Sequence, residues 1–418
     1  MKFFYLTLFI FISSLEVHAQ YADPNFAIPS TGYGSDGSHP VGIVSFPNPL
    51  FAGSDIKIYH PSDISTNVPT LFYSHAYTAN FPSHVSGLLE FVAKKGYAIV
   101  FVPYQTFGVT VVERYENLLE GFRKAARDYP AIIDTTRVGF MGHSFGGGAS
   151  IGISYAAFTE NNWGENGRFI HASAPWYVYN ITPTQLQSFP TDTKLIVQVY
   201  DNDSVNDHRM AIDIFEHINI SDAEKDFILV RADTIAGYIY KAGHDVPTTY
   251  SAFDAFDYYA YYRLIDALCD YTFNGNLAGK DVALGNGSPS QITMPAGMKN
   301  LVQTDNPDVV YPESQYVFPC TAILNLRQDY CGMLGIEDAM IEPDNLNLVP
   351  NPASDNVTIM IPANQIGQEV RIYNSIGTLV YRQILPNQST IMVDISGISN
   401  GIYAVLCGNF RTKLVVQH

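Results

Sequence analysis

The chain has 418 residues, of which 47% are apolar, and its 23 Lys and Arg against 40 Asp and Glu give a formal net charge of −17. This acidic balance excludes nucleic acid and anionic membrane surfaces as expected partners, because both repel a negatively charged surface. The length predicts one large domain and a smaller one, and the apolar content is enough for a sizeable core.

Residues 1–19 predict a secretory signal peptide. Lys2 precedes an apolar stretch that ends near Leu15, and the small-residue spacing of Val17 and Ala19 suits a signal peptidase. No later segment approaches the roughly 18 apolar residues of a transmembrane helix. We therefore expect a soluble chain without a transmembrane segment, secreted or attached to the cell surface after cleavage.

From residue 40 to residue 250, short β-branched and aromatic runs alternate with amphipathic stretches. The central runs are apolar on both faces, as in a buried parallel sheet. Strict alternation of strands and helices is typical of an α/β fold, and we assign residues 20–273 to this domain. The predicted strands are 56 IKIYH, 70 TLFYS, 97 YAIVFVPY, 137 RVGFMG, 169 FIHASAP, 194 KLIVQVY and 227 FILVRA, and the predicted helices are 85 VSGLLEFVAKKG, 111 VVERYENLLEGFRKAARDY and 207 DHRMAIDIFEHI.

The pattern changes twice after residue 273. Residues 274–344 are rich in Gly, Pro, Asn and Ser with little periodicity, which predicts an irregular appendage and linker. Residues 345–418 alternate between short strands and turns, which predicts a small all-β sandwich domain. Its predicted strands are 357 VTIMI, 369 EVRIYNSIG, 378 TLVYRQIL, 391 IMVDIS, 401 GIYAVLCG and 411 RTKLVVQ.

The 4 cysteines allow three disulfide pairings if all are oxidised. Because Cys269, Cys320 and Cys331 lie close together in the chain, we expect one disulfide among them, with Cys407 free. None has the spacing of a metal site such as Cys-x-x-Cys. We predict a structural role for the cysteines, and no metal or cofactor.

The stretch 141 MGHSFGGGAS contains the pattern Gly-x-Ser-x-Gly between a predicted strand and a predicted helix. Glycines two residues either side of Ser144 permit a tight turn that holds the serine in a strained conformation for chemistry. The alternative is a plain glycine-rich turn, which would need one glycine and not a spaced pair with further glycines behind it. We predict that Ser144 is a nucleophile.

A serine nucleophile needs a base and an acid that orients the base, and after such a turn the acid precedes the histidine in the chain. Asp201 and Asp203 follow the strand 194 KLIVQVY, whereas Asp207 fits the N-cap of the next helix. These acids also have calcium-loop spacing, but the glycine and the distant glutamate of such a loop are missing.

The histidines that follow these acids are His208, His217, His244 and His418. His208 and His217 fall inside a helical pattern, and His418 ends the β domain. His244 stands in the glycine-bearing loop 241 KAGHDVP, where an imidazole can reach the serine. We predict that His244 is the base.

Two backbone N–H groups are needed to stabilise the oxyanion. Phe145, the residue after the nucleophile, is predicted to supply the first. The second N–H group is predicted to come from the loop 74 SHAYTAN, with Tyr77 as the preferred donor and Ala76 as the close alternative. His75 precedes the serine, so we expect it to shape this loop through hydrogen bonds and not to act as the base.

At these residues the chain resembles the α/β-hydrolase superfamily, within it the cutinase, polyester hydrolase and dienelactone hydrolase group. The matching stretches are 76 AYTA, 142 GHSFGGG, 174 APW and 202 NDS. The resemblance implies a mostly parallel central sheet with helices on both faces, favours Asp203 over Asp201 as the acid, and implies that Tyr77 and Trp176 line an ester-binding cleft. His143 is a departure, because polyester hydrolases usually carry Trp there.

The β domain resembles the C-terminal sorting domain of the type IX secretion system of Bacteroidetes. The matching stretches are 349 VPNPASDNVTI, 373 YNSIGTLV, 394 DISGISNGIYAV and the closing Lys413. The resemblance implies export and a contact with the secretion machinery. A carbohydrate-binding or adhesive module is the alternative that the strand pattern alone would suggest.

These features together predict a secreted serine hydrolase. The predicted reaction is cleavage of carboxylic esters, small or polymeric, by a Ser-His-Asp triad through an acyl-enzyme, without a cofactor. A peptidase or amidase on the same fold is one alternative, because the triad chemistry is shared. An inactive hydrolase-like binding protein is another, and loss of any one triad residue would have favoured it.

Overall fold

A computed structural model of the chain describes residues 20–250, 252–308, 346–361, 369–374, 379–384, 389–407 and 410–418, together with Phe318, Cys320, Leu326, Arg327, Tyr330 and Cys331. The predicted signal peptide at residues 1–19 lies outside the described residues. The chain divides into two compact units, residues 1–317 and 318–418.

Within the described part of the first unit, a 9-stranded mixed sheet forms the centre of the fold. Its strands and those of a separate hairpin are β1 (Val41–Pro47), β2 (Asp55–Pro61), β3 (Val68–Ser74), β4 (Ala98–Phe101), β5 (Ile133–His143), β6 (Arg168–Ser173), β7 (Lys194–Tyr200), β8 (Lys225–Val230), β9 (Asp233–Ile235), β10 (Tyr238–Tyr240) and β11 (Val302–Thr304). The sheet order is β1-β2-β4-β3-β5-β6-β7-β8-β11. The six central strands, β4-β3-β5-β6-β7-β8 in sheet order, pair in parallel. The pairs β1 with β2, β2 with β4, and β8 with β11 are antiparallel.

Helices connect most of these strands. They are α1 (Ser86–Lys94), α2 (Val111–Asp128), α3 (Phe145–Glu160), α4 (Pro183–Leu186), α5 (His208–His217), α6 (Arg263–Asn274), α7 (Leu277–Ala283) and α8 (Pro289–Ile292), with 3-10 turns at Pro82–Val85 and Asp222–Glu224 and a π-helical segment, Phe256–Tyr262, that runs into α6. Helix α2 begins at a capping box, in which the Thr110 side chain and the Glu113 side chain each bond the other's backbone N–H.

The helices cover both faces of the sheet. Phe72 of β3 lies 5.2 Å, centroid to centroid, from Phe122 of α2. Its neighbour Tyr73 lies in a buried cluster with Leu88 of α1 and Leu264 of α6. Because successive side chains of a strand point to opposite faces, α2 lies on one side of the sheet and α1 and α6 lie on the other. The result is a three-layer α/β architecture.

The stretch predicted to be irregular contains regular structure in the part that the structure describes, residues 274–308. It holds α7, α8 and β11, and β11 extends the sheet beside β8. The buried carboxylate of Asp226 accepts hydrogen bonds from Gln291 Nε2 at 2.6 Å and Gln303 Nε2 at 2.8 Å. These elements are too short to give a periodic pattern, and buried polar contacts hold them in place.

The second unit is built of β strands. They are β12 (Asn347–Val349), β13 (Asn356–Met360), β14 (Glu369–Tyr373), β15 (Leu379–Ile384), β16 (Thr390–Asp394), β17 (Gly401–Cys407) and β18 (Phe410–Val416). They form two sheets, β12-β13-β16 and β15-β14-β17-β18. Side chains of both sheets, including Val357 and Val405, share one core, so the unit is a β-sandwich.

The cysteines divide between bonded and free. Cys320 and Cys331 form a disulfide, with Cα atoms 5.5 Å apart. Cys269 and Cys407 are buried free thiols. The disulfide therefore lies within the trio predicted to contain one. Across the described residues, no helix combines the length and apolar character needed to cross a membrane.

Candidate active site

Ser144 stands at the turn between β5 and α3. Its φ of 58° and ψ of −122° lie outside the regions that a non-glycine residue normally adopts. Three backbone hydrogen bonds hold it there, because its N–H donates to Ser173 O at 3.0 Å while its own carbonyl accepts from Gly148 at 3.1 Å and Trp176 at 2.8 Å. The surrounding structure thus fixes a strained conformation at the residue predicted to be the nucleophile.

The glycines around Ser144 allow backbone segments to approach very closely. A Cβ at Gly142 would lie 2.2 Å from Gly146 O, and one at Gly146 would lie 1.9 Å from Ser74 O. A Cβ at Gly148 would lie 2.3 Å from Trp176 O. Gly146 therefore seats the start of α3 directly against the end of β3, from which the predicted oxyanion loop departs.

We expect Gly146→Ala to destabilise the first unit and abolish any activity of the site. The added methyl group meets backbone and not a flexible side chain, so the free energy of unfolding should fall by about 1–3 kcal/mol or more. Scanning calorimetry of both units measures this change. The matched control is Gly397→Ala, since a Cβ there meets no atom within 4 Å; equal effects of the two substitutions would contradict this account.

Asp203 and His244 are hydrogen bonded to each other. His244 Nδ1 lies 2.8 Å from Asp203 Oδ2. The carboxylate can only accept, so the proton of this bond is on Nδ1. Asp203 Oδ1 accepts the backbone N–H groups of Val205 at 2.8 Å and Asn206 at 3.0 Å. The ring of His244 is thus oriented, which leaves Nε2 as the nitrogen able to accept a proton.

The environment of Asp203 favours its ionised form. Burial alone raises the pKa of this carboxyl, but the hydrogen bond and charge interaction with His244 and the two backbone N–H groups outweigh burial, so the pKa lies below its usual value. The other candidate acid, Asp201, makes a different contact, because its Oδ2 accepts the Ala232 N–H at 3.3 Å. Asp207 caps α5, as expected, by accepting the N–H of Arg209.

His143 links the serine turn to the loop of His244. Its Nε2–H donates to the His244 carbonyl oxygen at 2.6 Å, and the two imidazole rings lie 4.7 Å apart. Burial, and to a smaller extent the nearby His244, lowers the pKa of His143 to about 3, so its ring is neutral at ordinary pH. His244 is thereby held beside the residue next to Ser144. In the part of the chain that the structure describes, no hydrogen bond joins the Ser144 hydroxyl to the His244 ring.

The loop after β3 is shaped by His75. The Tyr104 N–H donates to His75 Nε2 at 3.1 Å, so His75 Nδ1 carries the proton that is donated to Ala76 O at 2.7 Å. The Tyr104 hydroxyl donates to His75 O at 3.0 Å, and the two rings stack with centroids 3.9 Å apart. These are the loop-shaping hydrogen bonds expected of His75, and burial lowers its pKa to about 3.

The side chains of the two residues predicted to supply the oxyanion donors lie near each other. The rings of Tyr77 and Phe145 are 6.2 Å apart. Among the described residues, neither backbone N–H donates to another group. Trp176 is half-buried, and its backbone is anchored to Ser144 as described above. Of the other histidines considered as the base, His208 Nε2 contacts Tyr200 O and His217 Nδ1 contacts Asp213 O, while His418 belongs to the second unit.

Sequence reasoning missed the contacts made by His143 and Arg114. In the sequence, His143 stands out only as a departure from the polyester hydrolases that the chain resembles, although a histidine in that position can reach a neighbouring loop. Arg114 lies over the rings of Tyr77 and Phe145, with Cζ to centroid distances of 5.2 and 5.8 Å. No sequence signal marks that contact, because the two rings and the arginine come from separate parts of the chain.

Comparison with known proteins identifies the second unit. Residues 347–417 match the family described as secretion system C-terminal sorting domain. The chain is also 31% identical over 70 residues to Beta-agarase A of Zobellia galactanivorans, a similarity that covers 17% of this chain and 13% of the agarase. That similarity is too short, and covers too little of either chain, to support a statement about activity.

The family match confirms the sorting domain predicted at residues 345–418 and favours it over a carbohydrate-binding or adhesive module. It does not extend to Ser144, Asp203 or His244. A sorting domain implies contact with the secretion machinery and a location at the cell surface or outside the cell. Residues 347–417 belong to the type IX secretion C-terminal sorting domain family.

Proposed function

We propose that the protein is a secreted serine hydrolase of the α/β-hydrolase fold that cleaves carboxylic esters. One observation carries the proposal: a hydrogen-bonded Asp203–His244 pair, 2.8 Å apart, is joined through the His244 carbonyl to His143, the neighbour of a serine held at φ 58° in a Gly-x-Ser-x-Gly turn. The order of the elements supports the fold, because the serine follows β5, the acid follows β7 and the histidine lies after β10.

In the proposed reaction, Ser144 Oγ attacks the ester carbonyl carbon while its proton passes to His244 Nε2. The carbonyl oxygen becomes an oxyanion that the N–H groups of Phe145 and Tyr77 stabilise. The C–O bond to the alcohol then breaks, the alcohol takes the proton from His244, and an acyl-Ser144 remains. Water attacks the acyl carbon with His244 as base, and release of the carboxylic acid restores the serine.

The role of Asp203 in this reaction is electrostatic. Its low pKa keeps it ionised at neutral pH, so it fixes the Nδ1–H tautomer of His244 and stabilises the imidazolium that forms in each half of the reaction. The preference for esters rests on the likeness to ester hydrolases at 76 AYTA and 142 GHSFGGG. The exposed ring of Tyr77 adds apolar contact area beside Phe145, the residue after the serine.

Paired substrates test the reaction class. A nitrophenyl ester and a nitroanilide with the same acyl group differ only in the bond that is cleaved, and a series of acyl lengths measures the size of the acyl site. The proposal predicts a much higher kcat/KM for the ester throughout. Equal kcat/KM values would favour a peptidase or amidase, and turnover of neither substrate by folded protein would favour a binding protein.

We expect a variant that lacks residues 347–418 to keep ester turnover but to remain inside the host cell. The candidate catalytic residues all precede the sorting domain, whereas export depends on it. Cell fractionation and activity of the purified variant measure the two properties. Full-length Ser144→Ala is the matched control, since it should be exported without turnover, and normal export of the shortened variant would contradict the expectation.

A further inference from the structure

Arg114 lies in the first turn of α2 and is half-buried against the two rings of the predicted oxyanion pair. Its Cζ is 5.2 Å from the ring centroid of Tyr77 and 5.8 Å from that of Phe145, within the range of cation–π contacts. Across the described residues, no carboxylate lies within ion-pair distance of this guanidinium. Its contacts are therefore with aromatic rings and backbone carbonyls.

The Thr106 carbonyl connects Arg114 to Tyr77. Arg114 Nη2 donates to Thr106 O at 2.6 Å and to Val109 O at 2.9 Å. The Tyr77 hydroxyl donates to the same Thr106 oxygen at 2.8 Å. Thr106 is buried, so an unpaired carbonyl there would be costly. One acceptor thus ties the side chain of Tyr77 to the arginine on α2.

Thr106 belongs to loop 104–110, which also contacts the oxyanion loop at His75, the residue directly after β3. Tyr104 contributes two hydrogen bonds to His75, one from its N–H to Nε2 and one from its hydroxyl to the carbonyl oxygen. Loop 104–110 therefore contacts the oxyanion loop at His75 and at Tyr77. Arg114 bonds two carbonyls of this loop, and so fixes the loop against α2.

We propose that Arg114 is a positioning residue, which holds the backbone N–H of Tyr77 in the direction required by the oxyanion. This inference rests on the proposed ester hydrolysis. Arg114 acts by fixing Thr106 and the ring of Tyr77 and takes no part in bond breaking. Small displacements matter at such a site, because an oxyanion donor works only within hydrogen-bond distance of the developing charge.

The test compares Arg114→Met and Arg114→Lys with Arg127→Met, a matched control at the far end of α2 whose side chain is 65% exposed. The measurements are kcat and KM on an uncharged nitrophenyl ester, and the inhibition constant of phenylboronic acid. The boronic acid forms a tetrahedral adduct with a serine hydroxyl, so its binding depends on the oxyanion donors. A general loss of structure would not weaken boronate binding and kcat while leaving KM unchanged.

For Arg114→Met we expect kcat to fall about 10- to 100-fold with little change in KM, and boronate binding to weaken by a similar factor. Arg114→Lys, which keeps the charge near the rings, should recover part of the loss. Arg127→Met should behave as the wild type does. If Arg114→Met does not fold, Tyr77→Phe removes the other donor to Thr106 and should give a smaller loss of the same kind.

Two results would overturn the inference while leaving the proposed function intact. One is an active wild type whose Arg114→Met variant keeps its kcat and boronate affinity. The other is a loss that appears only as a higher KM, which would make Arg114 a substrate-binding residue. A folded wild type that hydrolyses no ester would instead contradict the proposed function.

Discussion

Replacing Ser144 with alanine is expected to lower the kcat of ester hydrolysis about 10⁴- to 10⁶-fold. The hydroxyl is the proposed nucleophile, and without it the Asp203–His244 pair has no group to activate. The protein should remain folded, because the turn is held by backbone hydrogen bonds and by close glycine contacts that alanine at residue 144 preserves. Rates at saturating substrate, with melting temperature and circular dichroism, measure both effects.

The control for this substitution is Ser154→Ala, on helix α3, which begins at the residue after Ser144. Ser154 is also buried, and its hydroxyl donates to Ile151 O at 2.9 Å. It should lose little activity. A Ser144→Ala variant that retains kcat within about tenfold of the wild type would show that Ser144 is not the nucleophile.

Asp203→Asn is expected to lower kcat about 10³- to 10⁴-fold. The remaining Oδ1 can still accept the N–H groups of Val205 and Asn206, which places the new amide group against His244 Nδ1. Two donors then face each other unless His244 adopts the other tautomer, with the proton on Nε2. In that form Nε2 cannot accept the proton of Ser144, and the imidazolium also loses its stabilising charge.

Asp201→Asn is the matched control for the acid. The Asp201 side chain accepts from the Ala232 backbone and follows the same strand, so this substitution removes a nearby charge without touching the Asp203–His244 bond. We expect only a small change in kcat. Comparable losses in both variants, or a larger loss at Asp201, would move the acid role away from Asp203.

Much of the first unit can be predicted from the sequence, because its central strands are apolar on both faces and its longer helices have a clear periodicity. Strands β2 to β8 and helices α1, α2 and α5 all coincide with predicted runs. Strand β11 and the hairpin β9–β10 have only three residues per strand, so their positions depend on what they pack against. Helices α7 and α8 were likewise not predicted within residues 274–344, because they are also short.

The candidate site could be predicted only in part. The glycine pattern and chain order indicate Ser144 and His244 but leave Asp201 and Asp203 open, and only the resemblance to α/β-hydrolases favours Asp203. The structure brings Asp203 and His244 within 2.8 Å, and the catalytic roles stay predictions. The bond from His143 to the His244 carbonyl could not be predicted, because it joins residues 101 positions apart in the chain. The contact of Arg114 with Tyr77 likewise depends on how loop 104–110 folds.

Covalent labelling tests the central claim most directly. A fluorophosphonate forms a stable phosphonyl ester with an activated serine hydroxyl, and mass spectrometry of the digested protein identifies the modified residue. We predict one adduct, on Ser144, formed quickly by the wild type, slowly by His244→Ala and not at all by Ser144→Ala. An adduct on another serine, or none on the folded wild type, would contradict a Ser144 nucleophile activated by Asp203 and His244.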